Sequence, residues 1–186
     1  IDKVELPNPT VIKVKGIGES SDDYINAVAE CSDGGYIVGG HFNSSSIDLG
    51  NGISLTNKGS DDGMVIKFSS DGVIERAHTI GGGQYDYIKS VALTSDGGYI
   101  AGGYFGSSID LGNGVSLTNK GSYDGLIIKY NAEGECEWAQ GIGGSDREEI
   151  NSVASTRDGG IIAGGYFASS IDLGNGVSLT NKGSTS

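Results

Sequence analysis

The chain has 186 residues, enough for one compact core, with 34 glycines, 2 prolines and a formal net charge of −12. Glycine at that level without a Gly-X-Y period excludes collagen, and so little proline argues against a low-complexity linker. The negative charge, with no basic cluster to offset it, repels phosphate backbones and anionic membrane surfaces, and no apolar run approaches the ~18 residues of a membrane span.

The chain opens IDKVELPNPTVIKVKGIG at 1–18, which reads as two degenerate strands, and shows neither an initiator Met nor a signal-peptide apolar region. A mature segment, or a piece of a longer protein, is expected. Beyond this stretch the sequence repeats. The tripeptide Asp33-Gly34-Gly35 returns at Asp96 and Asp158, spaced 63 and then 62 residues apart. Ile17, Ile80 and Ile142, then Ile25, Ile88 and Ile150, and the glycine pairs at 39, 102 and 164 keep the same offset. An extra Ser in NSSS at 43–46 accounts for the one-residue difference and marks a loop that tolerates insertion.

Inside each unit apolar residues alternate, and turn residues bound every short run, so the unit is all β. After the second strand of each unit comes SSIDLGNGVSLTNKGS, at 107–122 and 169–184, and at 45–60 with Ile53 for Val. Its Asn-Gly predicts a tight hairpin between IDL and VSLT, because Asn and Gly tolerate positive φ. GLIIKYN at 125–131 is the third strand of its unit and CEWAQGI at 136–142 the fourth, joined by the turn AEG. INSVAST at 150–156 and GIIAGGYF at 160–167 are first and second strands, joined by the DGG turn.

Four strands in about 62 residues, repeated in tandem, predict an all-β fold of β-propeller type built from four-stranded antiparallel blades, three per chain. A single blade cannot bury both faces, so each must stack on its neighbours, and the glycine pair lets the backbone approach an adjacent blade. The expected organisation is one domain over 1–186, with units at about 4–63, 64–125 and 126–186. The opening strands would complete the last unit. Three blades are too few to close a ring, so the expectation is either two chains forming a six-bladed ring, each lending its opening strands to the other's last unit, or a fragment cut from a longer array.

The order DGGYIAGGYF followed by SIDLGNGVSLTNKGSYDGLIIKYNAEGECEWAQGIGGS resembles the bacterial β-propeller repeat abbreviated SBBP, and more distantly kelch blades. The resemblance spans almost the whole chain. It departs at Trp138, where the other units have Arg76 and Lys13. It implies a bacterial protein, extracellular or attached to the cell surface.

Several stretches suggest chemistry. Asp48, Asp110 and Asp172 precede Leu-Gly-Asn-Gly, so oxygen donors alternate with glycines as in a calcium loop; the further carboxylates such a loop needs are missing, and turn capping is expected, with no metal or other cofactor. The glycines at 80–83 and 141–144 lack the following helix and Lys-Ser/Thr of a phosphate cradle. The pairs Asp22-Asp23, Asp61-Asp62 and Glu148-Glu149 vary between copies, which suits solvated loop charge better than a glycosidase carboxylate pair. His41 and His78 stand at substituted repeat positions with no matched nucleophile, and Cys31 and Cys136 read as unpaired thiols in or near strands.

Tyr36, Tyr99, Phe42, Phe105 and Phe167 recur on second strands and are expected to fill space between blades. Tyr85, Tyr87, Tyr123 and Trp138 each occur in one copy, as residues of a binding surface would. The expected function is therefore a non-enzymatic surface module that binds a protein or glycan or spaces other domains, with no nucleic acid partner and no membrane insertion. The alternative is a carbohydrate-active enzyme on the same scaffold, which would need a constellation present once.

Overall fold

A computed structural model describes residues 15–174 and 176–183. Of the opening strands expected within 1–18, residues 1–14 lie outside the described residues. The described chain is all β. Its first six strands are β1 (Asp23–Glu30), β2 (Tyr36–Phe42), β3 (Ser46–Gly50), β4 (Ile53–Thr56), β5 (Asp62–Phe68) and β6 (Ile74–Ile80). The same order returns in β7 (Asp86–Leu93), β8 (Tyr99–Phe105), β9 (Ile109–Gly112), β10 (Val115–Leu117), β11 (Asp124–Tyr130) and β12 (Cys136–Ile142). Then follow β13 (Glu148–Ser155), β14 (Ile161–Phe167), β15 (Ile171–Gly174) and β16 (Val177–Leu179).

All strand pairing within the sheets is antiparallel. The first sheet has the order β1-β2-β5-β6, the second β7-β8-β11-β12, and the third holds β13-β14. Hairpins β3-β4, β9-β10 and β15-β16 stand apart from the sheets. Sequence periods divided at 63/64 and 125/126 cut through β5 and β11, whereas the hydrogen-bonded sheets run 23–80 and 86–142, the same repeat in a different phase.

Local chemistry fixes the turns. Asp33 Oδ1 accepts from the Gly35 amide at 2.8 Å, and the Gly34 amide donates to Cys31 O at 3.0 Å with Gly34 at φ 78°. In the hairpin, Asn51 and Gly52 take φ 55° and 76°, the two positive values that a two-residue turn needs to match strand twist.

Packing explains the apolar run of the third strands. All seven residues of β5 and all seven of β11 are buried. Met64, Ile66 and Phe68 join Phe42, Ile47 and Leu55 in one core, while Val65, on the other face of β5, joins Ile37, Ile88 and Val91 in another. A strand buried on both faces has no polar side to alternate with.

Successive sheets stack through one repeated contact. A Cβ at Gly39 would lie 2.7 Å from Ile88 Cγ2 and 2.7 Å from Val91 Cγ1, and a Cβ at Gly102 would meet Val153 Cγ1 at 2.5 Å and Ile150 Cγ2 at 2.9 Å. The missing side chain is thus the socket for an Ile and a Val of the next sheet. Burying each such residue contributes roughly 1.5–3 kcal/mol. At the two ends of the stack the halves of this contact stand alone. Ile25 and Val28 are 45% and 68% exposed, Gly164 has nothing among the described residues within 4 Å of its Cβ position, and Ile162 is 62% exposed where Ile37 and Ile100 are 0%.

Candidate functional site

The second glycine of each pair shapes the strand beside it. A Cβ at Gly40 would lie 1.9 Å from Tyr24 O, so β1 can pinch inward only against glycine. The register of β1 against β2 shifts between Ile25 and Ala27, leaving Asn26 as a bulge, and the same shift isolates Lys89 and Asn151. A bulge re-aims its side chain. Asn26 Nδ2 reaches the next sheet, donating to Ile88 O at 2.8 Å, and lies 3.1 Å from His41 Nδ1. Lys89 Nζ donates to Asn151 Oδ1 at 3.0 Å and pairs with Glu149.

Next to each bulge is a cross-strand pair: Tyr24 with His41, Tyr87 with Tyr104, and Glu149 with Tyr166. The rings run on from sheet to sheet. His41 stacks on Tyr24 at 4.9 Å and on Tyr87 at 3.7 Å with an interplanar angle of 11°, and Tyr87 lies 5.0 Å from Tyr104. Tyr104 then carries Lys89 Nζ at 5.2 Å and the Arg147 guanidinium at 5.7 Å, and Arg147 lies 5.3 Å from Tyr123. Both cations pair with Glu149. Tyr85 packs edge-on to Tyr87 at 6.4 Å, and the Tyr87 hydroxyl donates to Asp61 Oδ2 at 2.6 Å. Tyr24, Tyr85 and Tyr166 are exposed.

Electrostatics follow from this placement. Burial pushes the His41 pKa below its ordinary value, with Asp61 and Asp23 opposing. Burial would raise Glu149, but its bonds to Lys89 and Arg147 outweigh that and hold it low. Burial and the Asp61 carboxylate push the Tyr87 phenol up. The row therefore runs from neutral stacked rings at one end to a paired Lys-Glu-Arg cluster at the other.

The structure gathers Tyr85, Tyr87 and Tyr123 at this row and leaves Trp138 on β12, at the far edge of its sheet. His41, a substituted repeat position, links two sheets. Sequence reasoning missed Lys89, Tyr104 and Arg147, and read Glu149 only as half of an acidic pair. The signal was present in the aligned positions Tyr24, Tyr87 and Glu149, where a charge replaces a ring; Tyr87, matched by Tyr24, is accordingly not confined to one copy.

The acidic pairs need correction. Asp62, Glu148 and Glu149 are buried at or near the start of strands and are not solvated loop charge. Asp62 Oδ2 accepts from the Lys58 amide at 2.8 Å, and Asp124 Oδ2 from the Lys120 amide at 2.9 Å. Asp86 accepts from the Gly82 and Gly106 amides at 2.9 and 3.0 Å. Glu148 accepts from the Gly144 amide at 2.8 Å and the Ser169 hydroxyl at 2.7 Å. The glycine-loop amides at Gly82 and Gly144 thus already hold the protein's own carboxylates.

Asp48 Oδ1 and Asp110 Oδ1 accept from the Gly50 and Gly112 amides, each at 2.9 Å. Among the described residues no group of three or more His, Cys, Asp and Glu is placed to hold a metal ion. Cys31 and Cys136 are unpaired and buried, and burial raises both thiol pKa values. Comparison of the chain with protein-family models and with curated protein sequences returned no match.

Proposed function

We propose that the chain is a non-enzymatic binding module, in which the three sheets are consecutive blades of a β-propeller and the ring-and-charge row contacts a protein or glycan ligand outside a bacterial cell. The observation that carries the reading is the row itself. It crosses all three sheets at the end where first strands begin, and it presents different groups in each: Tyr24 with His41, Tyr87 with Tyr104, and Glu149 with Tyr166. A repeated scaffold with unit-specific side chains at one end is how such folds gain recognition. Exposed rings supply stacking area, and the Lys-Glu-Arg cluster supplies directional polar contacts.

The propeller reading is supported by the meander order of the two complete sheets and by the repeated stacking of Ile and Val on glycine. Two copies would make six blades, with Ile25 and Val28 of one copy seated on Gly164 of the other. A glycan array and a pull-down from extracellular matrix proteins test the binding role. The expected result is a ligand whose affinity falls at least tenfold in Tyr85→Ala/Tyr166→Ala at unchanged melting temperature, while Trp138→Ala binds normally. Silence in both screens would leave the chain as a spacer between other domains.

A further inference from the structure

Each junction between successive sheets carries one parallel bridge at the same end of the strands. Asp61 bridges Tyr85 just before β5 and β7 begin, and Tyr123 bridges Arg147 just before β11 and β13 begin. The main chain repeats with them: the Asp86 amide donates to Asp61 O at 2.8 Å, and the Glu148 amide to Tyr123 O at 2.7 Å. Asp61 therefore corresponds to Tyr123, and Tyr85 to Arg147.

The same backbone carries opposite chemistry at the two junctions. At the second, the Arg147 guanidinium lies 5.3 Å from the Tyr123 ring and 5.7 Å from the Tyr104 ring, and Glu149 meets its charge. The chain thus seats a guanidinium of its own on rings and against a carboxylate. At the first, Tyr85 and Asp61 take the two bridge positions, so the chain supplies a ring and a carboxylate. Tyr85 is 43% exposed and packs edge-on to Tyr87. Asp61 Oδ1 accepts from Asn43 Nδ2 and Asp61 Oδ2 from the Tyr87 hydroxyl, each at 2.6 Å, and Asp61 forms no ion pair among the described residues. One hydrogen bond on each oxygen leaves each a further lone pair, which is what two parallel N–H donors of a guanidinium need.

We infer that the corner made by Asp61 and Tyr85, between the two complete sheets, binds an arginine side chain of a protein ligand, with the guanidinium against Asp61 and over the Tyr85 ring. This rests on the binding role of the ring row and names the chemistry of its partner. A neutral glycan would stack on Tyr85 but leave the Asp61 charge without a counter-charge, whereas a guanidinium uses both. Lysine would meet Asp61 as a point charge without a plane to lay on the ring, which favours arginine. The formal net charge of −12 works in the same direction, drawing a cationic partner and repelling an acidic one.

The test is an amide-correlation NMR titration of the full chain with N-acetyl-arginine amide, with its citrulline analogue, which keeps the shape without the charge, and with its lysine analogue. Expected are saturable shifts centred on residues 60–62 and 84–87, affinity about tenfold lower for the citrulline compound and weaker for the lysine compound, and loss of binding in Asp61→Asn. That variant keeps an acceptor for Asn43, and its own spectrum reports whether it folds. Tyr85→Arg is the second variant: it places a guanidinium where Arg147 stands in the other junction, and it should pair with Asp61 and exclude the arginine compound. No saturable shift, equal binding of the citrulline compound, lysine binding as tight as arginine binding, or undiminished binding in Asp61→Asn would each overturn the assignment. A glycan held through Tyr85 and Tyr166, with the corner unshifted by the arginine compound, would overturn it and keep the binding role of the row. Arginine binding at the corner with the glycan array and the pull-down both silent would sustain it and remove that wider role.

Discussion

Asp86 shows how one buried group couples stability to pH. Its side chain is fully buried at the junction of the first two sheets, and burial, reinforced by Asp62, pushes its pKa up to about 7 against the two amides and Lys58 that oppose the shift. Between about pH 4 and 7 the folded chain therefore holds a proton that the unfolded chain releases, so stability falls as pH rises through this window, by at most ~1.4 kcal/mol per pH unit. Asp33, Asp96 and Asp158 act oppositely and at lower pH, because hydrogen bonds hold their pKa values down and their contribution is lost only on stronger acidification. His41 and His78, lowered by burial, favour folding as pH rises through their range, so wild type alone mixes the effects. The difference between wild type and Asp86→Asn isolates the carboxylate. Melting curves from pH 8 to pH 4 should show wild type gaining on the variant as pH falls from about 7 to about 4. A difference independent of pH would place the proton elsewhere.

At the scale of the strand, the buried lysine is the element's least replaceable part. Burial opposes the charge on Lys129, yet its bonds to Glu137 and Asp96 win and its pKa is raised. Lys129→Ala removes those bonds and the one to Tyr130 O, and empties the space of the aliphatic stem, so a loss of about 2–4 kcal/mol in urea unfolding is expected. Lys129→Met keeps the stem and should lose less than half as much; equal losses would assign the whole effect to the ammonium's bonds and none to packing of the stem. Strands of this kind were legible in sequence because their signals are local: GLIIKYN is a short apolar run between turn residues, and Asn-Gly demands its hairpin. Strand starts were less so. Glu148 and Glu149 read as loop because charged pairs usually are, and only the Gly144 amide, Ser169, Lys89 and Arg147, all supplied by tertiary contact, make them buried strand residues. The ring row was legible only in part, through Tyr85, Tyr87 and Tyr123, for a related reason. Its members come together through bulges at Asn26, Lys89 and Asn151, and a bulge shifts register in a way that period-two reasoning cannot follow.

For the molecule as a whole, the glycine sockets turn the question of assembly into a comparison between equivalent residues. Gly39 and Gly102 are filled by the next sheet and Gly164 is open, although all three occupy the same place in their units. Gly39→Ala drives a methyl into Ile88 and Val91, and overpacking of this kind costs roughly 1–3 kcal/mol. A Cβ at Gly164 meets nothing within 4 Å among the described residues, and Gly164→Val adds a β-branched residue to a strand, so the unfolding free energy of an isolated chain should change by less than about 0.5 kcal/mol. Association reads the same residue differently. If Ile25 and Val28 of a second copy seat on Gly164, the valine occupies their socket, and light scattering should report a dimer for wild type and a monomer for Gly164→Val. The exposed Ile25 and Val28 supply the complementary check, since Val28→Lys should give the same monomer from the opposite face. A head-to-tail contact of this kind closes only if the rotation between sheets brings the sixth back to the first; otherwise it grows into open chains. Masses rising with concentration beyond two copies would therefore retain the socket contact and discard the six-bladed ring, while a monomeric wild type would discard both.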